Sequence, residues 1–143
     1  MKVSLVMSTL GRIAEVLQFI HALEHLDHDD FELIIVDQNP DEGLQRACSA
    51  VIVNFPIRYI RRPHIKGISC GRNVGAEHAS GDIICFPDDD CLYPPSLIKK
   101  VLERFDDTAS DIVCGRAATA DGRAKPPTSD QPSPQRRTTR ARR

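Results

Sequence analysis

Three apolar runs that read as buried β-strands constrain the fold of this chain most. They are KVSLVM (2–7), FELIIVD (31–37) and DIICF (82–86). The second run is nearly continuous in apolar residues, a pattern typical of parallel sheets covered on both faces. Parallel strands need long connections, which are usually helices. The sequence therefore predicts an α/β domain.

Helical patterns lie between and after these strands. Apolar residues recur at helical spacing in several segments, so helices are predicted over 13–26, 41–53, 69–79 and 93–105. Two further short strands are predicted at 57–60 and 111–115. The order βαβαβαβαβ favours a doubly wound, mostly parallel sheet with a Rossmann-like arrangement over residues 1–115.

Residues 116–143 differ in composition from the rest of the chain. Beyond Val113 there is no Ile, Leu, Val, Phe, Met, Tyr or Trp, and the segment is rich in proline and arginine. Such a segment buries too little apolar surface to offset the entropy lost on ordering. We predict a disordered tail, either natural or the out-of-place end of an interrupted reading frame. It lacks interleaved aromatic residues, so we expect no nucleic-acid partner.

The cysteines and the N-terminus indicate a reducing compartment. The five cysteines are an odd number and contain no C-x-x-C pair, which argues against a disulfide framework or a zinc module. The apolar run after Lys2 is too short for a signal-peptide core, and no stretch is long enough to span a bilayer. We expect a cytoplasmic protein, either free or peripheral at the inner face of the membrane.

The acidic stretch FPDDDC (86–91) is the strongest functional signal in the chain. One interpretation is a solvated turn, because aspartates favour turns and helix starts. The other is a metal site, since Mg²⁺ and Mn²⁺ bind carboxylate oxygens and leave positions for a diphosphate. The three aspartates follow a strand, and ligands of doubly wound sheets bind at the carboxyl ends of strands. The metal site is therefore favoured.

Other polar residues are expected at the same edge of the sheet. Thr9 and Arg12 follow the first strand, and Asp37 ends the second. Asp37 can accept from a base N–H or a ribose hydroxyl, or its backbone neighbours can satisfy it. Arg72 can bind a diphosphate through paired hydrogen bonds, or it can lie exposed on a helix.

Two nucleotide-binding classes are excluded by the glycine pattern. The glycines at 67, 71 and 75 do not form a Walker A loop, and STLGR after the first strand is not G-x-G-x-x-G. A nucleotidyltransferase stays open as an alternative, because it can use a similar sheet with an acidic metal site. It usually has a glycine-rich basic loop after the first strand, and STLGR is a poor match.

Four segments together resemble the nucleotide-binding half of family 2 glycosyltransferases with the GT-A fold. They are VSLVMSTLGR, IIVDQN, GRNVGAEHASGDIICFPDDDC and YPPSLI, within residues 2–115. The resemblance implies an enzyme that transfers a sugar from a nucleotide-diphosphate donor, often uridine-linked, to a hydroxyl of a glycan or lipid-linked acceptor. Polysaccharide assembly is the implied setting.

The resemblance also implies donor-binding roles. Thr9 would lie by the base and ribose, Asp37 would bind the base, and Arg72 would lie near the nucleotide. Asp88 would approach the ribose or the donor sugar, with Asp89 beside it in the donor-binding group.

The resemblance implies a metal site as well, but no acceptor side. Asp90, together with Asp88, would bind the Mn²⁺ or Mg²⁺ that bridges the diphosphate. Leu10 stands where the family often has an aromatic residue near the base. No residue matches the family's acceptor-side base, so no catalytic base is assigned. A truncated, inactive remnant that binds the donor only is therefore the alternative to an active transferase.

Overall fold

Four parallel strands form a single sheet in the spatial order β3-β2-β1-β4. The structure, a computed structural model, describes residues 1–108, 110–115 and 118. Met1–Asp111 make up one compact unit, to which the described residues from Ile112 onward do not belong. The strands are β1 (Val3–Thr9), β2 (Phe31–Asp37), β3 (Ile57–Arg61) and β4 (Ile83–Cys85).

Helices alternate with these strands, as the sequence predicts. They are α1 (Ile13–Leu23), α2 (Gly43–Ser49), α3 (Ile68–Ala76) and α4 (Leu97–Thr108). The α/β class with a parallel sheet is thus confirmed. In the part of the chain that the structure describes, no helix is long and apolar enough to cross a membrane.

The helices predicted at 41–53 and 93–105 are observed at Gly43–Ser49 and Leu97–Thr108, and two further predictions fail or lie beyond the described residues. The strand predicted at 111–115 is wrong, since residues 110–115 contain no strand. Its apolar run has only three residues, which is too short to specify a strand by pattern alone. The predicted disordered tail, 116–143, lies outside the described residues apart from Ala118.

The sheet is covered on both faces, so β1 and β2 are buried along their whole length. All 14 residues of the two strands, seven in each, are buried. Leu5 of β1 belongs to a core with α1, α2 and α4, whereas Val6 faces the opposite core with Val74 of α3. This explains the near-continuous apolar runs, since alternate side chains enter different cores.

Glycines allow α3 to approach the sheet closely. A Cβ added at Gly75 would lie 2.3 Å from Val6 Cγ1, and one at Gly71 would lie 2.0 Å from Ser8 Oγ. Both distances are far below van der Waals contact, so no larger residue fits unless the neighbouring side chain or the backbone shifts. The small residues of α3 therefore place its first turn directly against the end of β1.

We predict that Gly75→Ala lowers the free energy of unfolding by about 1–2 kcal/mol, because overpacking against Val6 outweighs the gain in helix propensity. Urea denaturation measures the difference. Gly115→Ala is the control, since an added Cβ there meets no described residue within 4 Å. Equal stability of the two variants would contradict the close packing of α3.

A buried glutamate joins the amino ends of the strands. Glu32 Oε1 accepts from Ser4 Oγ at 2.7 Å, from Ser80 N at 2.8 Å and from Ser80 Oγ at 2.7 Å. Lys2 Nζ lies 3.7 Å from the other oxygen. Burial alone raises the pKa of Glu32, but these donors and the Lys2 charge outweigh it and lower the pKa to about 2.

This shift predicts a pH dependence of stability. The pKa of Glu32 falls from an ordinary 4.5 to about 2 on folding. Its stabilisation, at most about 3 kcal/mol, is thus complete above the unfolded value and is lost as the pH falls through the folded value. We expect Glu32→Gln to flatten the fall of the unfolding free energy in that acidic range. The exposed Glu103→Gln should keep the slope, and a parallel loss in both variants would refute the assignment to Glu32.

Candidate functional site

The carboxyl ends of the strands bring polar side chains into one row. Thr9, Asp37 and Arg61 are register partners across β1, β2 and β3. β4 pairs with β1 only as far as Leu5. The acidic residues that follow β4 reach the same edge, where Asp89 accepts from Thr9. The expected convergence of strand ends at this edge is therefore present.

The stretch from Asp88 to Cys91 forms a turn. Cys91 N and Cys91 Sγ lie 3.4 Å and 2.9 Å from the carbonyl oxygen of Asp88, to which both donate. Burial raises the pKa of the Cys91 thiol to about 11, and the charges of Asp88 and Asp90 act in the same direction. Cys91 is therefore a neutral donor that closes the turn, rather than a reactive thiolate.

Two carboxylates of this turn are held by the last residue of β1 and the loop that follows it. Thr9 Oγ1 donates to Asp89 Oδ2 at 2.8 Å. Arg12 Nη1 lies 3.4 Å from Asp89 Oδ1 and forms a closer ion pair with Asp90 Oδ2. The hydrogen bond to Asp90 and the charge of Asp89 raise the pKa of Arg12, so it stays a cation. The end of β1 thus supplies a hydroxyl to the turn, and the β1–α1 loop supplies a guanidinium.

The remaining carboxylate is held from α3. Arg72 Nη2 lies 2.8 Å from Asp88 Oδ1, and the guanidinium carbon lies 5.6 Å from the centre of the Phe86 ring. Arg72 Nε is buried and has no hydrogen-bond partner among the residues that the structure describes. The contact of Gly71 with Ser8 places the preceding residue of α3 at the end of β1, which explains how Arg72 reaches this edge.

Asp37 is fully buried, and both of its carboxylate oxygens accept hydrogen bonds. Asn39 N and Nδ2 donate to Oδ1 at 2.8 and 2.7 Å, and the Tyr59 hydroxyl donates to Oδ2. Asn39 Oδ1 in turn accepts from Gly11 N at 2.6 Å. Gly11 has a φ of 78°, which favours glycine. Asp37 therefore organises the loop that carries Arg12.

The sequence did not identify Asn39 and Tyr59 as parts of this group. The D-x-N spacing at a strand end is a signal for an Asp37–Asn39 turn. Tyr59 gives no such signal, because only the pairing of β3 with β2 brings it beside Asp37. Burial, the bond to Asp37 and the Asp37 charge all raise the pKa of Tyr59, so the phenol stays protonated and donates.

The predicted site residues thus fall into two connected groups. Thr9, Arg72 and the three aspartates of the turn lie together, and Asp37 joins them through Asn39 and the Gly11–Arg12 loop. Arg12, which the sequence placed at the edge without a role, contacts two of the three aspartates. The donor-binding roles of these residues stay predictions.

The donor set of the turn fits a hard divalent cation. Within the described ranges, no group of three or more His, Cys, Asp or Glu side chains is arranged to hold a metal. Mg²⁺-type sites commonly use only one or two carboxylates and complete the coordination with substrate phosphates and water. The Asp88 and Asp90 side chains are 64% and 54% exposed, so both oxygen donors are accessible.

A cavity of about 560 Å³ lies between α2 and the first half of β3. Tyr59 and Cys48 both line it. Burial and the charge of Asp37 raise the pKa of the Cys48 thiol to about 11. The turn residues Asp88–Asp90 do not line it. The cavity is therefore next to the Asp37 group and apart from the carboxylates that fit a metal.

Comparison with known proteins settles the family. The sequence profile described as "Glycosyl transferase family 2" matches residues 4–143. The chain belongs to this family. The resemblance that its motifs carry is thereby confirmed, and the strand-end residues above are those of a family 2 glycosyltransferase chain.

Relatives and solved structures agree with this membership. An uncharacterized glycosyltransferase of Haemophilus influenzae is 34% identical over 100 residues, which are 70% of this chain and 33% of that protein. S. aureus TarS 1–349 shares the fold with a TM-score of 0.70 at 22% identity, over 88% of this chain and 38% of that chain. Mannosyltransferase PcManGT from Pyrobaculum calidifontis, in complex with GDP-Man and Mn²⁺, has a TM-score of 0.68 at 18% identity, over 75% of this chain and 33% of that chain.

These likenesses cover only part of the longer proteins. The matched segments make up 22% to 38% of the first relatives and structures. At these identities the solved structures show the GT-A fold of this family 2 chain and no more. The donor, the acceptor and the reaction of the whole protein are matters for proposal.

We predict that Tyr59→Phe destabilises the protein by about 1–3 kcal/mol, because it leaves one oxygen of a buried carboxylate without its donor. Chemical denaturation of the single variants and of the Asp37→Asn/Tyr59→Phe double variant measures the coupling. The double variant should be less destabilised than the sum of its singles. Additive effects would show that the Tyr59–Asp37 bond does not stabilise the fold.

Proposed function

We propose that this chain forms the donor side of a glycosyltransferase. The enzyme would bind a nucleotide-diphosphate sugar at the carboxyl edge of the sheet and transfer the sugar to a hydroxyl of a glycan or lipid-linked acceptor. The observation that carries the proposal is the convergence of Thr9, Arg12 and Arg72 on the Asp88–Asp90 turn. Three separate segments of the chain meet there, at the edge where doubly wound sheets bind ligands.

The Asp37 group suits the nucleoside end of the donor. A carboxylate offers about four acceptor positions. Asn39 and Tyr59 fill three of them through the Asn39 amide, the Asn39 backbone and the phenol. One position is left for a base N–H or a ribose hydroxyl. The existing partners fix the orientation of the carboxylate. Because Asp37 is fully buried, a neighbouring side chain would have to move to admit a donor group.

The acidic turn suits the diphosphate end. Asp88 and Asp90 would hold Mn²⁺ or Mg²⁺, and a bound cation would neutralise the charge that the leaving diphosphate gains as the glycosidic bond breaks. The Mn²⁺ in the PcManGT complex supports this choice of metal class. Arg72 lies at the same edge, and its planar guanidinium can hold a phosphate through paired bonds. Asp89, bonded to Thr9, would keep the turn in place.

The nucleotide is proposed at the level of class. TarS structures are in complex with UDP and UDP-GlcNAc, and the PcManGT structure contains GDP-Man. Leu10, which follows Thr9, is 53% exposed and supplies an apolar surface without an aromatic ring. We therefore propose a uridine or guanosine diphosphate sugar.

Donor binding without transfer is the second candidate function. Each carboxylate described at this edge already has a hydroxyl, amide or guanidinium partner. None is therefore assigned as the base that deprotonates an acceptor hydroxyl. The family match disfavours the third alternative, a nucleotidyltransferase.

We expect UDP-GlcNAc or GDP-mannose to bind in a Mn²⁺-dependent manner, as calorimetry can measure. Asp90→Asn should weaken that binding at least about tenfold, since it removes a charged ligand of the cation. Asp106→Asn, on the exposed surface of α4, is the matched control and should bind as the parent does. A folded chain that binds neither donor, or binds without metal, would contradict the proposal. Release of UDP or GDP from the donor would separate a transferase from a chain that only binds.

A further inference from the structure

The charges of the acidic turn are balanced by cations from elsewhere in the fold. Three consecutive carboxylates, Asp88 to Asp90, are contacted by two guanidinium groups. Arg12 comes from the β1–α1 loop and Arg72 from α3, so neither is a local neighbour in sequence. Adjacent carboxylates repel each other, and the two arginines reduce the formal charge of the five groups to −1.

The two carboxylates that Arg12 contacts are held unequally. The Asp89 side chain is only 16% exposed and also accepts from the buried Thr9 hydroxyl. The Asp90 side chain is 54% exposed and the Arg12 side chain 44% exposed. An ion pair this exposed adds little net stability, because water solvates both partners well. The Arg12–Asp90 pair is therefore the exchangeable contact of the turn, whereas Asp89 is anchored.

The backbone of Arg12 is fixed even though its guanidinium can exchange partners. The preceding residue, Gly11, donates its N–H to Asn39, which is itself bonded to the buried Asp37. Arg12 also accepts from Val16 N at 3.4 Å at the start of α1. The backbone of Arg12 is therefore held in place, while its long, flexible side chain carries the charge. Its guanidinium can leave Asp90 without a change in the fold.

We propose that Arg12 is the resident counter-cation of Asp90 and that a divalent cation displaces its guanidinium on binding. Arg12 and the metal compete for one carboxylate, so Arg12 lowers the metal affinity of the turn. This inference rests on the proposed function in taking Asp90 as a metal ligand. The competition makes Arg12 a residue that tunes metal binding, while Asp89 keeps the turn in place during the exchange.

Mn²⁺ titration followed by electron paramagnetic resonance, with no nucleotide present, tests the competition. The signal of free aqueous Mn²⁺ gives the affinity of the parent chain, of Arg12→Gln and of Arg12→Lys. We expect Arg12→Gln to bind Mn²⁺ about two- to fivefold more tightly, the range that an exposed ion pair allows. Arg12→Lys, which keeps the charge, should stay near the parent. Arg46→Gln, with the same charge change on α2, should leave the affinity unchanged.

The outcomes separate this inference from the function on which it rests. If Asp90→Asn abolishes Mn²⁺ binding but Arg12→Gln leaves it unchanged or weaker, the competition is refuted and the metal site stands. If the folded parent binds no Mn²⁺ with or without a donor, both are refuted.

Nitrogen NMR of the parent provides a measurement without substitution. On Mg²⁺ addition the Arg12 Nε–H signal should shift while that of Arg46 stays, and an unmoved Arg12 signal would overturn the proposal.

Discussion

The seven-residue parallel pairing of β1 with β2 supports the rest of the structure. Every residue of both strands is buried, and their register places Thr9 beside Asp37. Burial of a large apolar side chain contributes about 1.5–3 kcal/mol, so this pair of strands accounts for much of the core. β4 is positioned by its pairing with Val3–Leu5 of β1, and α3 by its glycine contacts with the same strand. The acidic turn and Arg72 are therefore both located relative to β1.

Electrostatic balance at the carboxyl edge comes from tertiary contacts. The Asp88–Asp90 turn would be unfavourable by itself, but Arg12 and Arg72 approach it from two other segments. Such exposed pairs stabilise the fold only weakly. That weakness suits the proposed donor site, because a cation can replace Arg12 at Asp90, and a diphosphate can replace Asp88 at Arg72, at small cost. A buried, fully paired cluster would instead resist exchange.

The two carboxylates at the ends of β2 are both buried, but they contact different parts of the fold. Glu32, at the amino end, is bonded to Ser4 and Ser80 and lies near Lys2, so both of its oxygens have partners within the fold. Asp37, at the carboxyl end, is as deeply buried, yet it retains an acceptor position and holds the loop that carries Arg12. Residue type and burial alone do not distinguish the two. Their positions at opposite ends of the same parallel strand distinguish them.

The sequence by itself determined the fold class, the family and the edge of the sheet at which polar residues gather. Apolar runs and helical spacing are local signals that the sequence shows directly. Parallel strands have their carboxyl ends at one edge of the sheet, so Thr9, Asp37 and Asp88–Asp90 could be grouped from the sequence alone. The predicted strand at 111–115 failed because three apolar residues cannot specify a strand without a neighbour.

Only the tertiary structure decided which groups satisfy these carboxylates. The bonds of Tyr59 to Asp37, of Arg12 to Asp89 and Asp90, and of Ser80 to Glu32 join residues 22 to 78 positions apart. No local pattern encodes such partners, because they meet through strand register and helix packing.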